Sequence, residues 1–120
     1  MAEKQKPALG AGDVVIIIDG EEQTMRPTLR AATEISRMTG GISGAIQRCA
    51  SFDVDVIVRI VTLGLNLTPN GAKALPEKLY RTGYSEITPT CIRFLGILLN
   101  GGRPPNEEDA DEGQNPPTNV

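Results

Sequence analysis

Five consecutive β-branched residues, Val14-Val15-Ile16-Ile17-Ile18, run directly into Asp19-Gly20. Branched side chains fit a pleated strand. Asp-Gly after such a run is a strong hairpin signal, because glycine accepts the positive φ of a tight turn. The return strand, Glu22-Gln23-Thr24-Met25-Arg26, alternates more weakly and stops at Pro27, where Thr28 is placed to cap a helix. Residues 28–39 then carry an apolar stripe of Ala31, Ala32, Ile35 and Met38. Arg30, Glu34 and Arg37 line the opposite side, with Glu34 in reach of both arginines, and Gly40-Gly41 stops the helix.

Helical periodicity dominates the rest. Residues 42–50 set Ile42, Ala45, Ile46 and Cys49 on one side, and Asp53 offers the next cap with Phe52 before it. Residues 54–67 are apolar except for Asp55, Arg59, Thr62 and Asn66, a single helical line, which marks a central helix contacted on most sides. Thr68-Pro69-Asn70-Gly71 reads as a turn. Pro76 belongs in the first turn of a short helix over 76–82 that Gly83 ends, and Thr88-Pro89 repeats the cap-then-proline start for a last helix stopped by Gly101. In that helix Arg93, Gly96 and Asn100 form one narrow polar line among aliphatic residues. The expected architecture is α+β: a flexible N-terminus over 1–12 and a domain over 13–102. That domain is an N-terminal β-hairpin followed by a bundle of four to five α-helices. A disordered acidic, proline-rich tail over 103–120 cannot offset its own ordering entropy.

Charge and chemistry narrow the function. The net charge is −3, and residues 101–120 hold one arginine against five acids, so the first hundred residues sum to +1. A near-neutral body lacks the basic face that nucleic acid or an anionic membrane selects. No histidine occurs, which removes the commonest general base and the usual zinc ligand. Cys49 and Cys91 are the only cysteines; they could close one disulfide, but the composition suits two reduced thiols acting as small hydrophobes. The acids Glu107, Glu108, Asp109, Asp111 and Glu112 lack the order of a calcium loop, and no glycine run forms a phosphate cradle. The start of the chain lacks a signal-peptide core, and no apolar run is long enough to span a membrane. The reading is a non-enzymatic interaction protein with no catalytic residue, cofactor or metal.

From Gly12 to about Gly102 the chain resembles the small tail-assembly proteins of gene transfer agents and long-tailed phages. The features are Gly12-Asp13 before the aliphatic strand, Asp19-Gly20, then Arg26-Pro27-Thr28-Leu29-Arg30-Ala31-Ala32 with Glu34 and Met38-Thr39-Gly40-Gly41. Aliphatic helices over 54–67 and 90–100 complete the likeness. Arg30-Ala31-Ala32 stands where Gly-Ala-Leu is common, and the acidic tail is a second departure. The resemblance implies a tail assembly chaperone that keeps the tape-measure protein soluble in the bacterial host cytoplasm. The alternative is a tail-tube or tail-completion subunit that stays in the virion, with the tail-tube protein as a further partner and homo-oligomers compatible with either. Within the last helix Ile92, Leu95 and Leu99, at i, i+3 and i+7, form the expected partner-facing line.

Overall fold

The computed structural model describes residues 10–105. Strand β1 (Val14–Ile18) and strand β2 (Glu21–Met25) pair antiparallel, with Ile18 opposite Glu21 and Val14 opposite Met25. Asp19 (φ 54°) and Gly20 (φ 81°) both take positive φ, the signature of a type I′ turn. The period of two sends Val14, Ile16 and Ile18 inward and Val15 and Ile17 outward.

Among the described residues five helices follow: α1 (Leu29–Thr39), α2 (Ile42–Ala50), α3 (Val54–Leu65), α4 (Leu75–Thr82) and α5 (Tyr84–Leu99). With the hairpin they form the expected α+β architecture. Thr28 caps α1 as its position required, its hydroxyl accepting from the Ala31 N–H at 3.0 Å. Gly40, in the left-handed region at φ 76°, ends the helix. Glu34 pairs with Arg30 at 3.3 Å, but its second partner is Arg59 of α3 at 2.9 Å rather than Arg37. The exposed ladder foreseen along α1 is thus a tie between α1 and α3. Asp53 caps α3, and Asn66 closes it in the left-handed region at φ 57°, so that its last residue, Leu65, falls two short of the expected end at 67.

The start of α5 needs correcting. The helix begins at Tyr84, and Pro89 lies inside it rather than at its first turn. Gly83, at φ 104°, ends α4 and opens α5, making a corner of one residue. Pro89 has no N–H for the Ser85 carbonyl, a loss the helix tolerates because Ile87 and Thr88, inside that turn, are buried in the core. The Thr88 hydroxyl, unavailable as a cap, donates to the Tyr84 carbonyl at 2.7 Å.

One continuous cluster of buried side chains joins both strands to all five helices. Helix α3 sits at its centre with Ile57, Ile60 and Val61 fully covered, while Asp55 and Arg59 face out. Two close approaches lock the sheet in place. Gly64 of α3 lies against Met25, and its carbonyl accepts from the Arg26 N–H at 2.8 Å. Gly12 lies against the Gly102 carbonyl and Ile97, where a Cβ would collide with the Gly102 backbone.

The flexible N-terminus expected over 1–12 is held over its last three residues. The Gly10 N–H donates to the Asp13 carboxylate at 2.8 Å, and that carboxylate pairs with Arg26 at 3.0 Å. Residues 1–9, and all but the first three residues of the tail expected to be disordered over 103–120, lie outside the described residues.

Candidate docking surfaces

Large apolar side chains stay exposed in two places where backbone geometry also leaves an opening. The first is the free edge of β1. In a two-residue hairpin the pair flanking the turn, here Ile18 and Glu21, is hydrogen-bonded, and bonded and non-bonded pairs alternate away from it. Val15 and Ile17 therefore aim their N–H and C=O groups away from β2, and neither has another backbone or side-chain partner among the described residues. Their side chains are 40% and 58% exposed. Beside this edge lies a cleft of about 580 Å³ lined by Val15, Ile16 and Ile17, by Thr82 of α4, and by Glu86, Ile87 and Thr90 of α5.

Electrostatics fix the hairpin over that cleft. The Asp19 N–H donates to the Thr82 hydroxyl at 2.6 Å, and the Asp19 carboxylate takes Arg81 at 2.8 Å. The hydrogen bond from Arg81 holds the Asp19 carboxyl below its usual range. Arg81 also pairs with Glu77 at 2.8 Å, so one guanidinium ties the turn to α4.

The second place is where the start of α1 meets the end of α5. Leu29 is 83% exposed and Leu99 60% exposed. Pro27, Thr28, Leu29, Ala32, Leu98, Gly101 and Gly102 line a pocket of about 170 Å³ there.

The partner-facing line expected on the last helix is not continuous. Leu95 is fully buried in the core, Ile92 is half-buried against it, and Leu99 alone projects. The polar line instead runs from exposed Arg93 through half-buried Gly96 to exposed Asn100, which caps the C-terminus of α5. Leu29 was missed. As the first residue after the cap it sits on the far side of the helix from the buried Ala31 and Ile35, one turn before Ala32, and its apolar type on the solvent side was the available signal. Val15 and Ile17 were implicit in the strand period but hidden by an unbroken aliphatic run.

Cys49 and Cys91 are free and buried. Burial, with Asp53 nearby, pushes the Cys49 thiol up to about 11, and burial beside Cys49 pushes Cys91 higher still. Such thiols stay protonated and pack as hydrophobes. Among the described residues no group of three His, Cys, Asp or Glu could hold a metal ion, and no helix is long and apolar enough to cross a membrane. No family model matches the chain, and no curated protein or solved structure matches it.

Proposed function

We propose that the chain is a non-enzymatic tail-assembly chaperone of a phage or gene transfer agent, which holds its tape-measure protein soluble in the host cytoplasm before the tail tube closes around it. The likeness over residues 12–102 suggests the family, and a sheltering role is supported by exposed Leu29 beside the pocket that Leu98 closes, with Leu99 exposed next to Leu98 in the chain. A single exposed aliphatic residue is ordinary, but Leu29 at the rim of a pocket adds apolar surface that an incoming side chain would cover together with the pocket wall. A pocket on the order of 150 Å³ accepts a group the size of benzene, so an apolar side chain of the client can seat there. Covering Leu29 and Leu99 contributes about 3 kcal/mol, roughly a hundredfold in affinity.

The test is co-expression with a fragment of the tape-measure protein. Wild-type chain keeps the fragment in the supernatant, whereas Leu29→Asp and Leu99→Asp, both folded by circular dichroism, leave it in the pellet. Equal rescue by these variants contradicts the proposal. Recovery of the chain from purified, DNA-filled particles at ring-multiple stoichiometry would favour the tail-tube or tail-completion reading instead.

A further inference from the structure

Among the described residues nothing pairs with the free edge of β1. Natural sheet edges are blunted by charge, proline or a bulge, yet Val14–Ile18 carries none of these, and two consecutive outward positions present open amides and carbonyls. The edge is also self-complementary. Turned about a two-fold axis at Ile16, a second β1 runs antiparallel to the first and sets Val15 opposite Ile17 of the copy. Each of these two pairs exchanges both of its backbone hydrogen bonds, so every open group on both edges is satisfied.

The helix beside the edge carries the matching charge pattern. Glu86 and Arg93 are exposed on one face of α5, two turns apart, with Thr90 between them. Among the described residues neither has an ion-pair or hydrogen-bond partner, although Asp13, Asp19, Glu34 and Glu77 each have an arginine. Helix α5 packs on β1, so the same axis turns it antiparallel to its copy. Glu86 then faces Arg93 of the second copy, and Arg93 faces Glu86. The acids of β2, Glu21 and Glu22, stay outside the seam.

We propose that the β1 edge and the Glu86–Arg93 face of α5 form an isologous interface between two copies of this chain, giving a four-stranded sheet in the order β2-β1-β1-β2. Strand edges alone bury too little for a stable dimer, which needs about 1,200 Å² or more, and the helix face supplies the remainder. The cleft of about 580 Å³ at the edge is the room the incoming strand enters. The surface lies apart from Leu29 and Leu99, so the inference is independent of the chaperone reading.

Sedimentation equilibrium of the full chain tests it. The expected result is a monomer–dimer equilibrium that Ile17→Lys shifts to monomer with an unchanged circular dichroism spectrum, because Ile17 points to solvent. Glu86→Arg and Arg93→Glu should each weaken the dimer about tenfold, and the double swap should restore it. Amide exchange supplies a second readout: the Val15 and Ile17 amides slow as the dimer forms. A monomer at every concentration up to about 1 mM overturns the proposal. So does a dimer indifferent to Ile17→Lys, or a charge swap that fails to rescue.

Discussion

Replacing Gly64 by alanine probes the junction that sets the hairpin on the bundle. In an exposed helix interior the change stabilises by about 1 kcal/mol, since alanine is the best helix former. At Gly64 the added Cβ would stand 2.6 Å from Met25 Cε, 3.1 Å from Met25 Cβ and 3.2 Å from Met25 Cγ. The methyl end of Met25 can swing, but its Cβ is fixed by β2, whose register and Arg26–Gly64 hydrogen bond resist a shift. Overpacking of this kind costs about 1–3 kcal/mol, so the net expectation is a loss of about 1 kcal/mol and a drop in Tm of about 4–8 °C. Urea unfolding followed by circular dichroism measures it. Met25→Ala alone should cost about 2–5 kcal/mol by opening a cavity. In that background Gly64→Ala should turn neutral or stabilising, a coupling of about 1–2 kcal/mol in the double-mutant cycle. If Gly64→Ala stabilises the wild-type chain by its full helix propensity, α3 and β2 are not in close apposition and the packing derived above is wrong.

Three other substitutions follow from the same structure. Pro89→Ala should raise stability by about 1–2 kcal/mol, because it returns an N–H to the Ser85 carbonyl; no gain would mean that the helix starts at Thr88 after all. Leu95→Asp puts a carboxylate among fully buried aliphatics and should abolish the folded circular dichroism signal, whereas Leu99→Asp should leave it intact; a folded Leu95→Asp variant would refute the core placement. The two thiols predict alkaline weakness. The folded Cys49 pKa is raised from 9.0 to about 11 and Cys91 is raised further, so their contribution is complete below pH 9 and is lost as pH climbs above it. Between about pH 9 and 11 each thiol should steepen the fall in stability by up to about 1.4 kcal/mol per pH unit. A Cys49→Ala/Cys91→Ala chain with an equal slope over that window would contradict this.

Local rules carried the sequence reading a long way. The hairpin turn, the Thr28 and Asp53 caps and the glycine stops at Gly40 and Gly83 are decided within a few residues, so they were readable without tertiary information. The Thr88-Pro89 pair misled because the start signal is also local, and the burial of Ile87 and Thr88 that overrides it is not. The same limit applied to the docking residues. Periodicity said that Ile92, Leu95 and Leu99 share a stripe, but it could not say that the hairpin and the other helices close over Leu95 while Leu99 overhangs the end. The contacts of Gly12 with Gly102 and of Gly64 with Met25 join residues far apart in the chain, and nothing nearby in sequence announces them.

The most direct measurement for the sheltering role is hydrogen–deuterium exchange of the chain with and without a tape-measure fragment. The account predicts slowed exchange over residues 27–32 and 98–102, where Leu29 and Leu99 project, with the central helix unchanged. Protection spread elsewhere, or no protection at saturating fragment, would contradict it.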